Sequence, residues 1–229
     1  MFTAPRKAAT VALLKDIPDK MEVLLMRRHL EDRFLPDYYV FPGGALDIQD
    51  YDQKFPVSEK PHVLKDFKGD SGKYYGFIIC GIRETFEESG LLLAVDKNGN
   101  YPLINTEESI KKFSDYRDFV FKQKISFHDM LIKENLAPAV ENFHYISRWI
   151  TPPLFPIRYD TRFFAAVAPA GQEISHDGNE LVDFEWVTPG DALLKYKESK
   201  IKLVMPTIKT LELLNKFKSA GDLIAHLYE

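Results

Sequence analysis

The chain has 229 residues, 45% of them hydrophobic and 28% charged, which is ordinary globular composition and long enough to bury a sizeable core. Its 30 Lys and Arg against 34 Asp and Glu leave a net charge of −4, without the basic excess of a dedicated nucleic-acid binder. The lone Cys80 excludes an internal disulfide and a cysteine-rich zinc site, and no apolar run reaches the roughly 18 residues of a membrane helix. Met1 to Lys7 carry no apolar signal core, and Leu227-Tyr228-Glu229 is not a peroxisomal tripeptide. The expectation is a cytoplasmic protein acting neither on nucleic acid nor in a membrane.

In chain order, Thr10 to Leu14 and Glu22 to Arg28 read as two strands of a hairpin, joined by a turn at Asp16-Ile17-Pro18-Asp19. Tyr38 to Phe41 is a third short extended segment, and Pro42-Gly43-Gly44 is expected to be a turn. Residues 45–75 are polar and irregular, a loop long enough to suggest a function. From Gly76 to Ser89, Ile79, Ile82 and Phe86 recur at helical steps, and Gly90 sits where a C-terminal cap glycine belongs. Leu91 to Val95 suits a buried strand. Asn105 and Glu108 resemble a capping box opening a charged helical stretch over about 106–134. Asn142 to Ile150, Arg162 to Ala168 and Val182 to Val187 read as strands. Pro189 starts a helix, and Met205 to Lys218 form another. Without regular βαβ alternation, the class is α+β, or a mixed-sheet α/β/α sandwich with helical insertions.

The chemistry concentrates in Arg83-Glu84-Thr85-Phe86-Glu87-Glu88-Ser89-Gly90-Leu91. On a helix Glu84 precedes Glu87 by three residues and Glu88 by four, so three carboxylates share one face. They repel one another unless a cation joins them, and oxygen ligands suit a hard cation such as Mg²⁺. The plain alternative is a solvated acidic helix face.

With Phe41-Pro42-Gly43-Gly44 upstream, this string resembles the Nudix box. Gly44 takes the first glycine position, Asp50 the position of the first Glu, and Arg83, Glu84, Glu87, Glu88, Gly90 and Leu91 the second half. Thr85 stands where an aliphatic residue is usual, and Arg83 follows Gly44 by 39 positions, so that 25 extra residues interrupt the motif. An interrupted box is similar to that of the Nudix branch containing the animal peroxisomal coenzyme A diphosphatase. The segments from Glu22 to Gly44, Arg83 to Leu93, Trp149 to Pro152, Arg158 to Phe164, and Glu180, Trp186 and Pro189 carry the likeness. A coenzyme A signature of the superfamily is met in part: Leu24, Leu25, Arg28, Arg33 and Phe41 to Gly44 fall in register, with Met26, His29 and Asp37 as departures.

The resemblance implies a Nudix fold in one domain over 1–229, with an insertion at 45–75 inside the box and a helical insertion at about 106–134. It implies a hydrolase that uses Mg²⁺ or Mn²⁺ to cleave the diphosphate of a small nucleoside diphosphate derivative. Coenzyme A or acyl-coenzyme A is expected, yielding 3′,5′-ADP and a phosphopantetheine. Alternatives are ADP-ribose or a nucleotide sugar, or a catalytically silent ligand-binding Nudix module. The implied metal ligands are Gly44 (carbonyl), Glu84, Glu87 and Glu88. Arg83 orients a carboxylate, and Glu84 or Glu180 is the base. Arg28 and Arg33 are candidates for the phosphates. Arg158 and Arg162 either line the cleft or pair with Asp160. Trp149, Trp186 and Cys80 are expected in the core, whereas Tyr38, Tyr39 and Tyr159 are available to stack an adenine. The 45–75 and 106–134 segments are expected to border the cleft, and a homodimer is left open.

Overall fold

A computed structural model describes residues 4–32, 35–51, 71–175 and 181–229. Its elements are β1 (Arg6–Ile17), β2 (Lys20–Arg28), β3 (Tyr39–Val40), β4 (Gly43–Ala45), α1 (Ser71–Ser89), β5 (Ala94–Val95), α2 (Glu107–Phe121) and α3 (Phe127–Lys133). There follow β6 (Ala137–Pro138), β7 (His144–Ile150), β8 (Tyr159–Val167), β9 (Leu181–Val187), α4 (Pro189–Lys197), α5 (Met205–Leu214) and α6 (Ala220–Leu227).

The main sheet is mixed. β1 and β2 pair antiparallel as a hairpin from Leu14 to Val23, while β1 runs parallel to β8 from Arg6 to Leu14. β7 extends one side through β8, and β9 extends the other through β2. Beyond their hairpin β1 and β2 diverge. The segment from Tyr39 to Ala45 fills the gap, with β3 on Met26 and Arg27 and β4 on Ala8 to Thr10.

The central strands are apolar on both faces, as a sheet covered on both sides must be. Ala9, Val11, Leu13, Leu24, Met26 and Phe164 join the core beneath α1, α2 and α3. Their alternating neighbours Ala12, Leu14, Val23, Leu25, Phe163 and Ala165 join the core beneath α4, α5 and α6. The result is the expected α/β/α sandwich. Among the described residues no helix is long and apolar enough to cross a membrane.

Some local expectations change. Pro42-Gly43-Gly44 is not a turn, because Gly43 and Gly44 enter β4 and pair with Thr10 and Ala9. A Cβ on Gly43, at φ 153°, would lie 2.3 Å from the Ala9 carbonyl oxygen, so only glycine permits this approach. Leu91 to Leu93 are buried but lie outside β5, which pairs with β6 through Ala94 and Val95 alone. The capping box uses Thr106 and Ser109 rather than Asn105 and Glu108. Helix α1 begins at Ser71, and α5 stops at Leu214 before a separate α6, capped by Ser219. Single-residue shifts of a cap and short final helices are where local pattern carries least information.

Candidate active site

Helix α1 is held by its apolar stripe. Ile78, Ile82 and Phe86 are fully buried, and a Cβ on Gly81 would meet Val11 Cγ2 at 2.9 Å, so the helix lies close on β1. Gly90 ends it at φ 76°, its N–H donating to the Phe86 carbonyl at 3.0 Å. Thr85, the residue out of keeping with the motif, is wholly buried, and its Oγ1 has no hydrogen-bond partner.

The opposite stripe carries a buried ionic cluster. Arg83 donates Nε and NH2 to the two oxygens of Asp50 at 2.9 Å each, a bidentate pair. Its NH1 donates to Glu84 Oε1 at 2.9 Å and to Glu87 Oε1 at 3.1 Å, and its NH2 to the Ala45 carbonyl at 3.2 Å. Asp50 is 2% exposed and also accepts from the Asp47 N–H at 2.8 Å. Burial by itself would lower the Arg83 pKa, but Asp50 and Glu84 outweigh it and raise it above the usual value. Glu88 is 5% exposed and accepts from the Gly43 N–H at 2.8 Å. Burial, opposed by Arg83 and reinforced by Glu87, pushes the Glu84 carboxyl up to about 7. Cys80 is a buried thiol, raised by that burial, with Sγ 3.5 Å from the Gly44 carbonyl oxygen.

Gly44 joins the two sides of the sheet. A Cβ there would lie 2.5 Å from the Glu84 carboxylate. Without it, Glu84 reaches from α1 into a cleft of about 1170 Å³ that occupies the part of the other face left open by α4 and α5. Its lining is mixed: Arg6, Arg28, Arg83, Glu84, Gly43 and Gly44 contribute polar groups, and Trp149, Phe155, Ile157, Leu203 and Met205 contribute apolar ones. Arg28 pairs with Asp32 at 3.1 Å, while its Nε is buried without a partner. A cavity of about 100 Å³ lies on the α1 side between Asp47, Asp50, Arg83 and Glu87 and the α2–α3 turn, including Phe121, Phe127 and His128.

The structure thus brings Gly44, Arg83, Glu84, Glu87 and Glu88 together and sets Arg28 at the same cleft. Arg158 and Arg162 do not line it. Tyr159, Thr161 and Phe163 face the cleft, so the intervening Asp160 and Arg162 face away. Arg162 pairs with Asp160 at 2.6 Å and lies 4.3 Å from the centre of the Phe77 ring; Arg158 Nε donates to the Thr151 carbonyl. Of the tyrosines, Tyr38 and Tyr159 line the cleft and Tyr39 packs against the α4–α6 core. Trp149 lines it as well as joining that core, and Trp186 packs against the other core. Arg33 and Glu180 lie outside the described residues, as do 52–70 of the insertion. Of the described residues of that insertion, Ala45 to Asp47 border the cleft, whereas the 106–134 segment does not line it, against expectation, and its α2–α3 turn borders the smaller cavity instead.

Sequence reasoning missed Arg117, on α2. Its Nε and NH2 donate to the carbonyls of Glu87 at 2.6 Å and Glu88 at 2.7 Å. One arginine in a charged helical run gives no signal of such a role.

Among the described residues no three His, Cys, Asp or Glu side chains are already gathered as a metal cage, since Arg83 holds Glu84 and Glu87 while Gly43 holds Glu88. The donors nonetheless fit a hard divalent cation in kind: three carboxylates on one helix face and the carbonyl of Gly44, all oxygen. The cradle over Gly44, which a Cβ would fill, keeps the Glu84 carboxylate against that carbonyl's residue.

A family model of the NUDT19 Nudix domain matches residues 71–214. The acyl-coenzyme A diphosphatase NUDT19 of Xenopus laevis is 32% identical over 88% of this chain and 62% of its own length. The human protein of the same name is 26% identical over 88% of this chain and 62% of its own length. The chain therefore spans somewhat less than two thirds of these curated relatives. The crystal structure of a Nudix hydrolase from Alicyclobacillus acidocaldarius superposes with a TM-score of 0.81 at 29% identity, covering 98% of this chain and 97% of that one. The family match takes in well over half of the chain, including the whole carboxylate helix, and the chain belongs to the NUDT19 Nudix domain family.

Proposed function

We propose that the protein is a divalent-cation-dependent diphosphatase that hydrolyses coenzyme A or acyl-coenzyme A to 3′,5′-ADP and (acyl-)phosphopantetheine. The observation that carries this reading is the mixed lining of the cleft. Its polar groups, among them Arg28, Glu84 and Gly44, suit a diphosphate; its apolar side chains, among them Trp149, Phe155, Ile157, Leu203 and Met205, suit a long, weakly polar arm. The relatives named acyl-coenzyme A diphosphatase support the same substrate.

In this reading Glu84, Glu87, Glu88 and the Gly44 carbonyl hold Mg²⁺ or Mn²⁺. When bound, the cation offsets charge on the phosphate oxygens and makes water easier to deprotonate. Arg83, clamped by Asp50, keeps Glu84 and Glu87 in register. Glu84 or Glu180 takes the proton of the attacking water. Arg28, which lines the cleft, and Arg33 present guanidinium groups to the phosphates. The apolar wall orients the pantetheine arm and keeps bulk water from it. A reducing compartment such as the cytoplasm suits the free, buried Cys80.

The test is product identification by mass spectrometry. Purified protein with Mg²⁺ or Mn²⁺ meets coenzyme A, acetyl- and longer acyl-coenzyme A, and ADP-ribose, beside Glu88→Gln. Release of 3′,5′-ADP by wild type, and not by Glu88→Gln, is expected. AMP from ADP-ribose with coenzyme A untouched would overturn the substrate; no turnover of any of them would favour a silent module.

A further inference from the structure

The end of α1 is closed by a residue from outside the motif. The last carbonyls of a helix have no partners within it and must find them elsewhere. Here the Thr85 carbonyl accepts from Ser89 Oγ at 2.6 Å and the Phe86 carbonyl from Gly90 N–H. The Ser89 carbonyl accepts from Ser175 N–H at 3.0 Å. The two between, Glu87 and Glu88, are both taken by Arg117. Its NH1 also donates to the Ser175 carbonyl at 2.6 Å and to Ser175 Oγ at 3.0 Å. A Cβ on Gly90 would come within 3.1 Å of Ser175 Oγ and 3.6 Å of the Arg117 guanidinium, so glycine keeps this junction open.

We propose that Arg117 is a positioning residue for the cation site: it holds the backbone of Glu87 and Glu88 from behind, so that α2 controls how tightly the carboxylates converge on a cation. The inference rests on the cation reading given above. A planar guanidinium can grip three carbonyls at once, which a lysine ammonium on a flexible stem cannot do with the same rigidity. Its charge also opposes the negative end of the α1 dipole. Helix termini fray, and these two carboxylates occupy the last turn. Fixing their backbone removes motion that cation binding would otherwise have to arrest.

The experiment is titration of the whole, metal-free protein with Mn²⁺, followed by loss of the free-ion electron paramagnetic resonance signal. Arg117→Lys and Arg117→Gln are compared with wild type and with Lys112→Met. Lys112 pairs with Glu134 at 2.6 Å and so ties α2 to the end of α3 without touching α1. Melting curves record folding of each variant. The expected result is a roughly tenfold loss of Mn²⁺ affinity in both Arg117 variants, the scale of losses behind metal ligands, with Lys112→Met near wild type. Because Lys retains the charge, a loss in Arg117→Lys assigns the effect to the fork geometry. At saturating Mn²⁺, kcat falls while KM for the substrate holds. Wild-type affinity in Arg117→Lys would overturn the proposal, as would an equal loss in Lys112→Met. Absence of Mn²⁺ binding by wild type would overturn the cation reading along with it.

Discussion

Both faces of the sheet carry an apolar core, and they differ in what stands beside it. On the α1 side stands a knot of buried charge, in which Arg83 donates to Asp50, Glu84 and Glu87, while Glu88 accepts from the Gly43 N–H. The face beneath α4, α5 and α6 is apolar, and the cleft opens where those helices leave it uncovered. The contrast teaches that reactive groups and recognition surface need not share a face. A charge cluster requires close-packed, rigid support, whereas a cleft requires space. Gly43 and Gly44 connect the two, because β4 lacks the side chains that would separate Glu84 from the cleft.

The largest effect should come from breaking the charged side. Asp50→Ala leaves the Arg83 guanidinium buried without its bidentate partner. Denaturant unfolding should show a loss of about 3–5 kcal/mol. A loss below about 1 kcal/mol would mean that Glu84 and Glu87 suffice to hold Arg83.

Next in size is a pH effect confined to the same side. A Glu84 carboxyl at about 7, against 4.5 for the unfolded chain, binds its proton more tightly when folded. Its contribution to stability is therefore greatest below about 4.5 and is lost as pH rises through about 7, a difference of about 3 kcal/mol. In the presence of a chelator, Glu84→Gln should gain on wild type by this amount between pH 4.5 and 8. A constant gap across that range would contradict it.

Closing the passage between the faces should separate them functionally. Gly44→Ala puts a Cβ against the Glu84 carboxylate, and displacing it should lower kcat about 100-fold while the fold persists. Near-normal turnover in a folded Gly44→Ala protein would show that Glu84 does not act through this opening.

The apolar face is probed by Phe155→Ala. Phe155 is 54% exposed and lines the cleft, so the melting temperature should hold while KM for a long acyl substrate rises about fivefold, corresponding to roughly 1 kcal/mol of lost burial. An equal change with free coenzyme A would place Phe155 away from the acyl arm. Thr85→Val should act in the opposite sense on the charged side. Removing a buried hydroxyl that has no partner should stabilise the protein by about 1 kcal/mol. Destabilisation would indicate that the hydroxyl is satisfied in solution.

What the sequence by itself determined is local. The carboxylates at positions 84, 87 and 88 share a face because a helix repeats every 3.6 residues, and Gly90 caps it because a left-handed residue suits that place. The strands β1, β2, β7, β8 and β9 were legible from runs of apolar residues, and their mixture with helices indicated the fold class. Tertiary structure alone decided the partners that are distant along the chain. Arg83 meets Asp50 across 33 positions, Glu88 meets Gly43 across 45, and Arg117 meets Glu87 across 30. It likewise decided that Gly43 and Gly44 form a strand, and that strand alternation turns Arg162 away from the cleft. Helical periodicity is imposed by neighbouring peptide groups, so it is written in adjacent residues. Strand register and the closure of a helix end depend on which segments the packed core brings together, and that is a property of the whole chain.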